Sequence, residues 1–205
     1  MAGDTVFEQW CKLVLALLLF TPVGQPANGN TDVSVLKVAY LYYFSKFISW
    51  PSGSIEENHH LNLCVGDVTE KTRSQLSSIM DSRVGLNTLK VVYLDNLVDH
   101  KFPAKGALLT AKQAIGNLNL IKSMTKQCHI VFVDEGMSGW FEQHARFFPE
   151  YALVVAESLE LNNAVIYLYS HNKHLLFEID NTLALEKNIV ISSKLLSLSQ
   201  ERGER

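Results

Sequence analysis

Few residues in this chain are equipped to do chemistry, and their spacings decide what that chemistry could be. His171 and His174 stand three apart, a step found in metal sites, but they flank a short loop and bring no nearby cysteine. A solvated turn is the plainer account. Ser192, Ser193 and Lys194 set hydroxyls beside an amine, yet adjacent positions on a helix point apart, so the lysine is not held against a serine as its base. His59 and His60 fall in a polar loop. Gly66-Asp-Val-Thr69 lacks the glycines that cradle a phosphate. Asp67 and the run Val133-Asp-Glu-Gly-Met-Ser-Gly139 superficially suggest a magnesium-dependent phosphoacceptor turn. Such a turn needs a carboxylate cluster and a lysine, but one acid follows the first strand and no lysine is suitably placed. The reading is therefore a protein without a catalytic set, a metal site or a cofactor, working by binding.

The cysteines read differently once the N-terminus is considered. Leu13 to Phe20 is an unbroken apolar run, followed by Thr21-Pro-Val-Gly24 and the small-residue stretch Ala27-Asn-Gly29. This is the pattern of a secretory signal peptide cleaved after Gly29, although Asp4 and Glu8 stand with Lys12 where a positive segment is expected. The run is short of the roughly 20 apolar residues that span a bilayer. Residues 1–29 are thus expected to be a leader and residues 30–205 a single exported domain in the periplasm. Cys11 leaves with the leader, and Cys64 and Cys128 remain. An even count in an oxidising compartment favours a disulfide; two buried, unbonded thiols are the alternative.

Eighteen basic against 21 acidic residues give a net charge of −3, which favours neither nucleic acid nor an anionic membrane surface as a partner. The most distinctive stretch is Lys37-Val-Ala-Tyr-Leu-Tyr-Tyr-Phe-Ser-Lys-Phe-Ile-Ser-Trp-Pro51. Tyr40, Tyr43, Phe47 and Trp50 recur at three- and four-residue steps, which places them on one side of a helix with Phe44 beside them. Thr31 or Asp32 caps its start, and Pro51 ends it at Trp50. A helix apolar nearly all round is either buried or shared between the core and a second chain.

Further along, Leu61–Gly66 and Leu89–Leu94 read as strands, with a helix over Val68–Ser82 between them. Ala107–Met124 reads as a helix broken or kinked at Gly116-Asn117, because glycine costs about 1 kcal/mol relative to alanine there. Cys128–Val133 and Tyr151–Ala156 are buried strands separated by a short helix over Gly139–Phe148. Ala164–Tyr169 and His174–Ile179 form a hairpin, followed by helices over Asn181–Lys187 and Ser192–Ser199. Glu178, set in that apolar hairpin strand, is either an outward-facing edge residue or a polar anchor paired with Lys194. Strands alternating with helices and then a hairpin predict an α/β layered sandwich: a mainly parallel sheet flanked by helices with an antiparallel C-terminal hairpin. In that arrangement the strands carrying Cys64 and Cys128 can be neighbours.

Four pieces in order resemble the YfiR family of exported bacterial proteins. They are Lys37–Pro51, Leu63-Cys-Val-Gly66, Cys128-His-Ile-Val-Phe-Val133, and Phe177-Glu-Ile-Asp180 followed by Ile191-Ser-Ser-Lys-Leu-Leu196. The resemblance implies a periplasmic α/β sandwich that forms homodimers. It also implies binding to the periplasmic sensory domain of an inner-membrane diguanylate cyclase, holding down cyclic-di-GMP output and biofilm formation. Cys64 and Cys128 fall where that family often carries a disulfide. The chain departs from the family at Asn162-Asn163, where a Gly-Gly pair is usual, and asparagine keeps a positive-φ turn open. It also lacks the cysteines of a second bridge. Two other readings stand beside this one: a soluble receptor for a small hydrophobic or aromatic ligand near Tyr43, Phe47 and Trp50, and a cell-envelope adaptor.

Overall fold

The computed structural model describes residues 32–66, 68–98, 111–172 and 174–200, and the expected leader over residues 1–29 lies outside them. Helix α1 spans Val33–Phe47, opened by Asp32, whose carboxylate accepts from the Ser34 amide at 3.1 Å and the Ser34 hydroxyl at 2.7 Å. Val38, Leu41 and Phe44 form its buried stripe. The helix stops at Phe47, three residues before the expected end. Ile48 turns extended, and strand β1 (Ile48–Ser49) pairs antiparallel with a distant strand at Val190–Ile191. The cause is a non-local pairing that Pro51 does not set.

Strand β2 (His60–Val65) leads into α2 (Glu70–Ile79), which Thr69 caps through the Thr72 amide at 3.2 Å. Strands β3 (Arg83–Val84) and β4 (Asn87–Tyr93) follow, then a single turn, α3 (Asp95–Val98). Helix α4 (Ala111–Thr125) runs unbroken through Gly116-Asn117, correcting the expected break. Residues 116–120 are exposed, so the glycine costs propensity without disturbing any packing. The start expected at Ala107 lies outside the described residues. Strand β5 (Ile130–Val133), α5 (Ser138–His144), a 3₁₀ turn (Ala145–Phe147) and β6 (Leu153–Ala156) complete the central layer. The chain ends in the hairpin β7 (Ile166–His171) and β8 (His174–Ile179), α6 (Asn181–Glu186), β9 (Val190–Ile191) and α7 (Ser193–Leu196).

The main sheet has seven strands in the order β3-β4-β2-β5-β6-β7-β8. Strands β4, β2, β5, β6 and β7 are parallel, and β3 and β8 are antiparallel at the two edges. This is the predicted class, with the antiparallel hairpin at the C-terminal side. Side-chain alternation divides the sheet's two faces cleanly. Leu61, Leu63, Val65, Leu89, Ile130, Phe132, Leu153 and Val155 pack with α1 and α2. Cys64, Val131, Val133, Val154 and Ala156 pack on the other side with Phe141 and Phe148. β2 and β5 are parallel neighbours with Cys64 opposite Val131, and Cys64 forms a disulfide with Cys128, just before β5, with Cα atoms 5.7 Å apart.

Two close features matter for the site. At Gly66, after β2, an added Cβ would stand 2.3 Å from the Met137 sulfur, so any larger residue there would have to displace the Met137 side chain. Among the described residues, positive φ outside glycine occurs at His59, Asp81, Asn172 and Asn188, not at Asn162-Asn163, so that turn needs no left-handed residue.

Candidate functional site

The aromatic helix divides into three environments. Tyr40 turns inward: its hydroxyl donates to the Leu175 carbonyl at 3.1 Å, and its ring lies 5.9 Å from Phe44 and 5.3 Å from Phe177. Tyr43 is 52% exposed and stacks on Phe47 at 6.3 Å with a 20° interplanar angle. Trp50, beyond the helix end, is drawn elsewhere, donating from Nε1 to the His129 carbonyl at 3.3 Å. The expected single stripe of four aromatics is thus corrected. Tyr43 and Phe47 share a surface; Tyr40 and Trp50 belong to other contacts.

Cations complete that surface. The Lys194 ammonium stands 5.5 Å from the centroid of the Phe47 ring, and Lys46 stands 4.5 Å from that of Tyr42. Lys194 arrives on α7, whose first turn is capped by the Ser192 hydroxyl accepting from the Leu195 amide at 3.3 Å. Ser192 is therefore a cap, and Lys194 an aromatic partner. Glu178, meanwhile, is only 1% exposed, and Gln200 forms a bridge beside it on the β8 edge. It is not the outward edge residue that one reading of the sequence expected. His171 and His174 face each other across the exposed hairpin end.

Three arrangements escaped the sequence reading. His129, 4% exposed, accepts the Asn62 amide at Nδ1 (3.1 Å). Its Nε2 therefore carries the proton and donates to the Ser54 carbonyl at 3.1 Å. Burial pushes this histidine's pKa down, which keeps the ring neutral; the nearby Glu56 charge opposes that shift. Lys37 on α1 reaches Glu157, just past β6, at 2.5 Å. Burial raises the Glu157 pKa, and the Lys37 ammonium partly offsets the rise. Lys37 and Asp134 line one cavity, but this lysine comes from α1 and not from the end of the last strand, where a phosphoacceptor site needs it. Asp67, the other acid of that reading, lies outside the described residues. Third, Lys71 pairs with Asp32, and with the Ser34 bonds it holds that carboxyl at about 2, tying the start of α1 to α2.

Two described cavities are lined by other residues than Tyr43, Phe47 and Trp50. One is an open groove of about 500 Å³ along Ile179–Leu183; the other, of about 200 Å³, surrounds Lys37 and Glu157. Among the described residues, no three His, Cys, Asp or Glu side chains are grouped to hold a metal ion, and no helix is long and apolar enough to cross a membrane. The Tyr43–Phe47 face can bind by burying rigid aromatic area flanked by cations. A family model described as YfiR/HmsC-like matches residues 34–200. No curated protein matches the chain.

Proposed function

This chain belongs to the YfiR/HmsC-like family, and from that membership we propose that it binds and restrains the outer sensory domain of an inner-membrane diguanylate cyclase. The family is one of periplasmic regulators of diguanylate cyclase, regulatory rather than catalytic. In this reading residues 1–29 are the export leader, cleaved after Gly29, and residues 30–205 act as a homodimer in the periplasm. Binding lowers cyclic-di-GMP output and, with it, biofilm formation.

The observation that supports a protein partner is the exposed Tyr43 stacked on half-buried Phe47, with the Lys194 ammonium against the Phe47 ring. Large stacked rings lose little side-chain freedom on binding, and aromatic residues lead the energetic centres of protein interfaces. The face is built on a helix whose opposite stripe is in the core, so it is rigid before any partner arrives. The test is capture of the periplasmic domain of a cotranscribed cyclase by the purified chain, alongside cellular cyclic-di-GMP with and without the gene. Saturable capture and a rise in cyclic-di-GMP on deletion are expected. Absence of both would remove this reading.

A further inference from the structure

The chain leaves β2 for β4 on one side and returns to β5 on the other, so β2 and β5 border the point where the winding of the sheet reverses. In open α/β sheets the loops at the carboxyl ends of such strands part and leave a crevice where ligands bind. Here the crevice is a cavity of about 200 Å³, smaller than the roughly 300–1,000 Å³ that accommodates drug-sized molecules. Thr69 and Thr72 border it from the segment after β2, Asp134 from the loop after β5, Glu157 from the end of β6, and Phe132 gives an apolar wall. Gly66, close against Met137, brings the loops after β2 and β5 together.

The cavity also shows which group it accepts. One ammonium is already there: Lys37 reaches in from α1 and meets Glu157 at 2.5 Å. With Asp134, Glu135 and Glu157 around a single lysine, an anion is repelled, while a second ammonium would find the same carboxylate. We propose that this crevice binds a small primary amine, which takes the place of the Lys37 ammonium against Glu157 and so breaks one polar tie between α1 and the end of the sheet, while Val38, Leu41 and Phe44 keep the helix in the core. Because α1 also carries Tyr43 and Phe47, occupancy would lower capture of the partner. That last link rests on the proposed function; the binding itself does not.

The purified chain is titrated with n-butylamine and phenethylamine by calorimetry and thermal melts, against butyrate and against KCl at matched ionic strength. A saturable heat and rise in Tm with the amines alone are expected, and Glu157→Gln should abolish them while its near-ultraviolet circular dichroism stays native. Lys37→Met removes the internal competitor and should tighten amine binding by about threefold or more. No saturable response, a response matched by KCl, one that survives Glu157→Gln, or weaker binding by Lys37→Met overturns the site. Capture of the cyclase domain is then repeated with amine present. Reduced capture supports the link to α1, and unchanged capture despite amine binding overturns that link. Failure of the amine titration leaves the regulator reading standing, since that reading is tested by capture without amine.

Discussion

Tyr43 and Phe44 are neighbours in sequence, both aromatic, and opposite in use. Phe44 is fully buried, 5.3 Å from Phe177, whereas Tyr43 is 52% exposed and touches Phe47 and Tyr42. One step along a helix turns a side chain by about 100°, and here that rotation separates a residue that holds the fold from one available to a partner. The inner stripe, Val38, Leu41 and Phe44, fastens α1 to the sheet; the outer ridge is a rigid surface standing on it.

The sharpest way to break this contrast is to truncate each ring. Phe44→Ala should cost about 3–5 kcal/mol in urea unfolding, the range for an aromatic side chain lost from a core. Tyr43→Ala should change stability by less than about 0.5 kcal/mol, as for surface positions away from special features. Equal losses would erase the division between the faces. The sheet's other core face is pinned covalently, by a bridge 64 residues apart in sequence. Replacing both Cys64 and Cys128 with alanine should cost about 4 kcal/mol on the chain-entropy account, measured in the same unfolding experiment. Full alkylation of both thiols without reductant would instead show that no bridge had formed.

On the outer ridge the large effect moves to affinity. Tyr43→Ala should weaken capture of the cyclase domain by about 2 kcal/mol, roughly 30-fold, as at the energetic centre of an interface. A change under twofold would place the interface elsewhere. The turn after α1 gives a subtler test. His129 is neutral in the fold with its pKa pushed down, while an unfolded histidine titrates near 6.5. The unfolded chain therefore binds more protons below that point. Its contribution to stability is complete above pH 6.5 and is lost as pH falls, by at most about 1.4 kcal/mol per unit. Comparing the pH slopes of wild type and His129→Gln isolates this group from Glu157, whose raised pKa acts in the opposite sense; identical slopes would refute it. Smallest of all, Gly116→Ala on the exposed α4 should stabilise by up to about 1 kcal/mol in thermal unfolding, with no effect on capture.

Much of the fold was legible because its signals are local. Alternation in Leu61–Val65 and the continuous apolar runs of Ile130–Val133 and Leu153–Ala156 report strands directly, since side chains alternate faces whatever lies beyond them. The candidate site was legible only in part. Tyr43 and Phe47 sit together because they are one helical turn apart. Trp50 was misplaced because the helix end is set by Ile48↔Ile191, a pairing between residues too distant for any periodicity to reveal. Glu178 reads as an edge residue, yet it is buried, with Gln200 bridged beside it.

The amino-acid sequence alone determined the α/β class and the identity of the longer strands and helices, because hydrophobic period and capping act over a few residues; the two-residue strands β1, β3 and β9 escaped it. It also supplied Cys64 and Cys128, the pair that the fold joins in a bridge. Tertiary structure alone decided where α1 stops, that His129 is held neutral between Asn62 and Ser54, and that Lys37 meets Glu157 across the end of the sheet. Each of those depends on groups distant along the chain being brought within a hydrogen bond's length, and only the completed packing of the sheet does that.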